Sequence, residues 1–127
     1  MLRAARSVLR ASGASRIEVH RVPGSFEIPV VAAALARRSL NRPEAVICLG
    51  LIWQGETTHA QHIGEAVSLA LMDVAIETGV PIIHQVLSVT TVQQAVARCR
   101  SKKTNRGTEA AHTALAMAAT MRAVASR

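Results

Sequence analysis

The 127-residue chain has almost no aromatic side chains: one Trp, one Phe and no Tyr. Proteins that bind single-stranded nucleic acids stack the bases on aromatic rings, so the composition disfavours that class. The chain also has no uninterrupted apolar run of the roughly 20 residues that cross a bilayer. We therefore expect neither a nucleic acid nor a membrane as its partner.

Cysteine is equally scarce. Cys48 and Cys99 are the two cysteines of the chain, and neither belongs to a CxxC or Cys/His ligand pattern. Two unpatterned cysteines are typical of reduced thiols in a cytoplasmic protein. The sequence therefore predicts a cytoplasmic protein without a metal site, in which Cys48 is a small apolar residue of a buried strand.

Lysine and arginine are absent from residues 43–97, although the net charge is +7. Many of them occur instead in one short stretch after this gap. A solvent-exposed loop is one interpretation of that stretch, favoured by residue count alone, and a face that binds polyanions is the other. The basic residues of the stretch are Arg98, Arg100, Lys102, Lys103 and Arg106.

The first seventeen residues contain arginines and serines but no acidic residue. This composition is typical of organellar transit peptides and also of surface helices. Leu2, Ala5, Val8 and Leu9 form an apolar stripe that Gly13 can end, which favours the helix.

Hydrophobic periodicity predicts alternating helices and strands along the rest of the chain. Such alternation implies a parallel sheet covered by helices on both faces, here as one domain over residues 1–127. Three strands make a narrow sheet, and the backbone groups at its open edge have no hydrogen-bond partner. Either another chain pairs with this edge, or the sequence begins after a strand that belongs there. The predicted strands are 17–22, 45–52 and 81–89; the predicted helices after the first are 26–40 with Ser25 as its cap, a helix from the loop at 50–59 up to Gly79, 91–98 and 107–125.

The segment GLIWQGETTH, residues 50–59, is the strongest functional signal. It joins a buried strand to a long amphipathic helix, so it predicts a turn whose backbone N–H groups form an anion pocket at a helix N-terminus. It ends on His59, an imidazole that can exchange protons near neutral pH. This combination favours chemistry on a phosphate-bearing substrate. The alternatives are a surface histidine at a helix start and a simple helix cap at Thr58.

Three motifs in matching order and spacing resemble the lumazine synthase family. They are VPGSFEIP at residues 22–29, the glycine-containing loop at 50–59 and NRGTEAA at 105–111, and ETGVPI at 77–82 matches as well. The resemblance extends from residue 1 to about 125. It implies a three-layer αβα sandwich with a central parallel sheet that here lacks the family's first strand and the stacking aromatic this segment carries.

The resemblance implies a transferase of riboflavin biosynthesis that condenses 5-amino-6-(D-ribitylamino)uracil with 3,4-dihydroxy-2-butanone 4-phosphate. The products are 6,7-dimethyl-8-ribityllumazine, phosphate and water. No cofactor is expected. The resemblance also implies self-association to a pentamer or a larger assembly, up to an icosahedral shell, with active sites between subunits and riboflavin synthase as a further partner.

The same resemblance assigns roles to individual residues. His59 matches the proton-transfer histidine, and Arg98 matches an arginine that reaches the phosphate from a neighbouring subunit. Lys102 is a further candidate, with a solvent-exposed loop lysine as the equal alternative. The phosphate-binding loop is Gly55, Glu56 and Thr57; the pyrimidine and ribityl site is Ser25, Phe26, Glu27, Leu51, Ile52, Trp53, His84 and Arg106.

Some of these positions have other interpretations or depart from the family pattern. Glu27 can be a first-turn acid that stabilises the helix dipole, and Phe26 can be a core residue. Gln54 occupies a position where many members have arginine, and His84 one where a neighbouring subunit often presents phenylalanine. The main alternative function is therefore a non-catalytic relative that assembles or binds a flavin-like ligand without turnover.

Overall fold

A computed structural model describes residues 1–126 of the chain. Within this range two parallel strands lie between helical layers, which confirms the predicted α/β class. None of the helices in the described range has the length and apolar character needed to cross a membrane. The elements are α1 (Leu2–Ala11), a 3₁₀ turn (Ser25–Glu27), α2 (Ile28–Ala36), β1 (Val46–Trp53), α3 (His59–Thr78), β2 (Ile82–Val89), α4 (Val92–Cys99) and α5 (Arg106–Ala125).

β1 and β2 pair in parallel over their whole length, from Val46 opposite Ile82 to Trp53 opposite Val89. Alternate side chains of a strand point to opposite faces of the sheet, and both faces of this pair are covered. One face packs on α2 and α3 and the other on α5, with α1 beside α5. Residues on the α2/α3 face include Cys48, Ile52 and Val86, and those on the α5 face include Ile47, Leu49 and Ile83.

The core is built from aliphatic side chains, as the composition predicts. Leu71 and Val67 of α3 are the most completely buried large side chains. Helix α5 meets the sheet through the small residues Ala110 and Ala114, which allow close approach of the helix. Cys48 is buried in the centre of this core, and its burial raises the pKa of the thiol to about 12. The thiol therefore remains neutral at physiological pH, as expected for an apolar packing residue.

The predicted strand at residues 17–22 is wrong: this segment has no strand assignment and no ladder partner in the described range. Its polar side chains bind to one another and to the end of α2 instead. The Glu18 carboxylate accepts from Arg38 at 2.9 Å and His20 at 3.1 Å, and it pairs with Arg16 at 2.7 Å. These hydrogen bonds hold the pKa of the Glu18 carboxyl below its ordinary value. The segment is thus anchored to α2, away from β1.

Helix α2 ends at Ala36 and not at residue 40 as predicted. Arg42 explains the early end, because its Nε donates to the Ala36 carbonyl at 2.8 Å. The same guanidinium donates to the Thr78 carbonyl at the end of α3. One arginine therefore satisfies free carbonyl groups at the C-terminal ends of two neighbouring helices.

A cavity of about 730 Å³ separates the free edge of β1 from the segment at residues 14–22. The N–H groups of Val46 and Gln54 donate toward β2, to Pro81 at 2.8 Å and Val89 at 2.9 Å. Because successive backbone groups alternate in direction, those of Ile47 and Leu49 face this cavity. The open edge that the sequence predicts is therefore present within residues 1–126, on the side of β1 opposite β2. Apolar residues of three helices line the cavity, among them Leu9, Leu35 and Leu115.

The open edge gives a testable pattern of hydrogen exchange along β1. We expect the amides of Ile47 and Leu49 to exchange roughly tenfold or more faster than those of Cys48 and Gly50, since only the latter pair with β2. Amide exchange followed by NMR on the 127-residue chain measures this difference directly. Equal protection of both sets would contradict the free edge and would mean that another segment or chain pairs with it.

Candidate active site

The loop at residues 54–58 and the turn at residues 25–27 lie near the carboxyl end of β1. Gln54 follows β1, and its side-chain amide donates to Ser88 Oγ of β2 at 2.9 Å while its backbone N–H donates to Val89 at 2.9 Å. Gln54 thus fixes the start of the loop at residues 54–58. It occupies a position where arginine is common in the family that the motifs resemble. Ligand sites of parallel sheets form at the carboxyl ends of the strands.

The loop at residues 54–58 leads directly into the N-terminus of α3, as predicted. Gly55, Glu56, Thr57 and Thr58 are partly or fully open to solvent, and α3 has no acidic residue in its first turn. Thr57 Oγ1 accepts from the His59 N–H at 3.4 Å, whereas the Thr58 side chain makes no capping hydrogen bond. Thr58 therefore occupies the N-cap position of α3, but its side chain does not cap the helix. The first-turn N–H groups, which lack intrahelical acceptors, can bind an anion here.

His59 is the first residue of α3, and its side chain is exposed. This places an imidazole beside the exposed N–H groups of the preceding loop. A ligand anion bound at the helix start would therefore lie next to a group that can donate or accept a proton. His62 lies one turn further along the same helix and is also exposed.

The predicted role of Ser25 as a helix cap is wrong. The residues Ser25–Glu27 form a 3₁₀ turn, and the side chain of Ser25 instead donates to the Leu51 carbonyl at 3.4 Å. This bond holds the turn over the free edge of β1, near its carboxyl end. Phe26 is 59% exposed, so the alternative in which it belongs to the core is wrong. The Glu27 side chain is exposed too, at the position before α2, without a capping bond.

Gly50 is a further candidate, which the sequence predicts within the strand at 45–52 and the loop at 50–59 without a role of its own. It lies within β1, and a Cβ on it would come within 3.0 Å of Ser25 Oγ and 3.1 Å of Ile28 Cδ1. A side chain at residue 50 would require the 3₁₀ turn or its neighbours to move by a few tenths of an ångström. A glycine inside an apolar strand was the available signal, since such glycines mark close approach of another segment.

At the end of β1, the side chain of Ile52 points to one face of the sheet and those of Leu51 and Trp53 point to the other. The Ile52 side chain is buried in the α2/α3 core, so only its backbone is available to a ligand. Leu51 and Trp53 point to the opposite face and are 39% and 51% exposed. The single tryptophan of the chain thus lies at the candidate site.

The residues of the basic stretch lie at the end of α4, in the loop after it and at the start of α5. Arg98 is in the last turn of α4, roughly 9 Å along the axis from the helix start, and its side chain is exposed. Lys102 is exposed in the connecting loop. Arg106 begins α5 and forms an ion pair with Glu109 one turn later. The arginines in ion pairs within residues 1–126 are Arg16, Arg37, Arg38, Arg106 and Arg122, so Arg98 retains a free charge there.

His84 lies apart from the other candidates, in the first half of β2 on the face toward α3. Its Nδ1 accepts from the Val86 N–H at 3.3 Å, which places the proton of the neutral ring on Nε2. Nε2 then donates to Ser68 Oγ at 2.9 Å, and Ser68 donates to the Gly64 carbonyl at 2.7 Å. The structure therefore does not bring His84 to the carboxyl edge of its own chain, and the ring remains exposed on the subunit surface.

The carboxyl-edge site is an open surface and not an enclosed pocket. The 730 Å³ cavity lies elsewhere, because its lining contains none of the candidate site residues. Likewise, residues 1–126 contain no group of three or more His, Cys, Asp or Glu side chains that could hold a metal ion. The carboxyl edge therefore offers backbone N–H groups and the His59 imidazole to a ligand.

These features define an α/β protein with a candidate anion-binding site at the carboxyl edge of its parallel sheet. The sequence model for 6,7-dimethyl-8-ribityllumazine synthase matches residues 1–122. A protein of Syntrophus aciditrophicus (strain SB), described as 6,7-dimethyl-8-ribityllumazine synthase, is 41% identical over 126 residues, which cover 98% of this chain and 80% of that protein. The chain belongs to the 6,7-dimethyl-8-ribityllumazine synthase family, which confirms the resemblance seen in its motifs.

Proposed function

We propose that the chain catalyses the condensation of 5-amino-6-(D-ribitylamino)uracil with 3,4-dihydroxy-2-butanone 4-phosphate. The products are 6,7-dimethyl-8-ribityllumazine, inorganic phosphate and water. The observation that carries the proposal is the match of the family over residues 1–122, because it includes every candidate site residue. The exposed helix N-terminus beside His59 supports it, since a phosphate-bearing substrate requires such an anion site.

The reaction needs proximity and proton transfer. The amine of the pyrimidine attacks the ketone and releases one water as the imine forms. Phosphate is then eliminated, and closure of the second ring releases another water. Two bound reactants held in one orientation react as if at very high concentration, so proximity supplies the largest share of the acceleration. His59 transfers protons in these steps.

Two parts of the chain bind the phosphate group in this proposal. The N–H groups of Glu56 and Thr57, with the Thr57 hydroxyl, grip its oxygens, and Gly55 lets the loop backbone approach. The Glu56 carboxylate points away, because it would repel the anion. Arg98 of a neighbouring subunit supplies the countercharge through its planar guanidinium, which can bind two oxygens at once. Lys102 is a second cation for the same group.

The pyrimidine and its ribityl chain bind on the adjoining surface. Ser25, Phe26 and Glu27 contact them from the 3₁₀ turn, and the end of β1 contributes Leu51, the Ile52 backbone and Trp53. Arg106 reaches the pyrimidine from the start of α5, which requires it to leave or share its ion pair with Glu109. His84 acts from a neighbouring subunit, because it lies away from the carboxyl edge of its own chain.

We further propose that the chain assembles to a pentamer or a larger shell, with each site between two subunits. An open site supports this, as does an apolar stripe on α3 formed by Leu69, Met72 and Ile76, which are 68%, 60% and 74% exposed. Such a stripe is unusual on an isolated chain. Riboflavin synthase, which would use the lumazine product, is a further proposed partner, and the cytoplasm is the proposed location.

Replacement of the two neighbouring histidines of α3 tests the catalytic assignment. We expect His59→Ala to lower kcat for lumazine formation by about tenfold to a hundredfold, the loss of one proton-transfer group. The matched control, His62→Ala, removes an exposed imidazole one turn away and should leave kcat unchanged. Lumazine absorbance and fluorescence, corrected for the uncatalysed reaction, measure both. Equal kcat for the two variants would remove His59 from the mechanism.

The unsubstituted chain provides the reference for this test. If it assembles but forms no lumazine above the uncatalysed rate, the proposed reaction is wrong. The non-catalytic alternative would then apply, and binding of lumazine or riboflavin without turnover would support it.

The Arg98 assignment predicts a substrate-selective defect. We expect Arg98→Ala to raise KM for the phosphate substrate about tenfold to a hundredfold, because a charged hydrogen bond to the phosphate is lost. KM for the pyrimidine should change much less. Arg100→Ala, which removes the same charge two residues further on, is the control and should leave both constants near their original values. A similar rise in both KM values for Arg98→Ala would contradict its role at the phosphate.

A further inference from the structure

The carboxamide of Asn105 joins the two helices that carry the candidate arginines. Its Nδ2 donates to the Cys99 carbonyl at the end of α4, at 2.9 Å. Its Oδ1 accepts from the Gly107 N–H in the first turn of α5, also at 2.9 Å. One planar group therefore spans from the residue after Arg98 to the residue after Arg106.

Other contacts hold the two anchor points of this bridge. The Cys99 carbonyl also accepts from the Met1 amino nitrogen at 2.9 Å. Gly107 is buried, and a Cβ on it would overlap the backbone of Met1, so the start of α5 cannot shift toward α1. Thr104 Oγ1 adds a bond to the Ala97 carbonyl at 2.6 Å. The loop between the helices is exposed at Lys102 and Lys103, yet its two ends are fixed.

We infer that Asn105 is a positioning residue for the basic stretch: its two hydrogen bonds hold Arg98 and Arg106 in one fixed relation before substrate binds. The inference rests on the proposed function, in which Arg98 meets the phosphate and Arg106 the pyrimidine. A loop that is already ordered loses less conformational entropy when the ligand binds, so the bridge raises affinity without touching the ligand. Asparagine suits this task because it offers a donor and an acceptor at once.

The capping role and the bridging role of Asn105 can be separated by substitution. Serine is also a good N-cap residue, so Asn105→Ser retains an acceptor for the start of α5. Its short hydroxyl cannot span to Cys99, so the bond to α4 is lost. The change adds no charge near the phosphate, which an aspartate would do. Val74→Ala is the control for general loss of stability, because Val74 is buried near the C-terminal end of α3, away from the carboxyl edge.

We expect Asn105→Ser to raise KM for the phosphate substrate about fivefold, the effect of one lost hydrogen bond, with kcat and the pyrimidine KM changed less. Trypsin should cleave the assembled variant faster after Lys102 and Lys103 than it cleaves the unsubstituted protein. Val74→Ala should show neither effect. Unchanged cleavage in Asn105→Ser would overturn the bridge itself. Faster cleavage with an unchanged phosphate KM, or equal changes in both KM values, would overturn its positioning role.

Direct binding of inorganic phosphate separates failure of this inference from failure of the proposed reaction. If the unsubstituted chain forms no lumazine, the affinity for inorganic phosphate is measured by calorimetry on the same variants. Weaker phosphate binding by Asn105→Ser than by Val74→Ala would still support the positioning role. Equal affinities would overturn it.

Discussion

The parallel pairing of β1 with β2 sets the position of the loop and the helix N-terminus that form the candidate anion site. Because the strands run in the same direction and end together at Trp53 and Val89, the segments that follow them leave the sheet at one edge. The first segment becomes the loop before α3, and the second becomes α4 with its arginine. The Gln54 bonds to Ser88 and Val89 fix this edge from both strands. Without the pairing, the loop before α3 and the N-terminus of α3 would have no fixed position relative to the end of β2.

The same pair of strands leaves one edge of the sheet open. Across that edge lies a cavity lined by apolar side chains of α1, α2 and α5, with an extended segment on its far side. Backbone groups without a ladder partner face this cavity, and such an open edge can pair with a further strand. The cavity therefore belongs to the architecture of the sheet, and the candidate chemistry lies at the strand ends.

Hydrophobic periodicity correctly predicted the helices and strands that pack through a regular spacing of apolar residues. The helix ending near Gly79, both strands of the sheet and the α5 helix occur within one or two residues of their predicted bounds. The prediction of a strand at 17–22 is wrong because a strand needs a neighbouring strand to pair with. The sequence of the segment does not show whether such a partner is present. The predicted end of α2 is wrong because Arg42, six residues further on, donates to the Ala36 carbonyl.

The candidate site could likewise be predicted only where it depends on local sequence. The loop at 54–58 and the basic stretch could be found from local sequence, because glycine, threonine, histidine and arginine occur there in a recognisable order. The seating of Ser25 on the Leu51 carbonyl, the close approach at Gly50 and the Asn105 bridge depend on distant segments that meet only in the folded chain. Arg106 illustrates the limit well, since its ion pair with Glu109 occupies the group that the family resemblance assigns to substrate.

In the proposed reaction, His59 of one subunit and Arg98 of its neighbour act on the same bound substrate. Co-expression of His59→Ala and Arg98→Ala chains tests it most directly, at a phosphate-substrate concentration where each variant alone is nearly inactive. If the two residues come from different subunits, about a quarter of the sites in a randomly mixed ring combine an intact His59 with an intact Arg98. We expect the mixed assemblies to regain about that fraction of lumazine formation. Activity no higher than the mean of the two separate variants would contradict it.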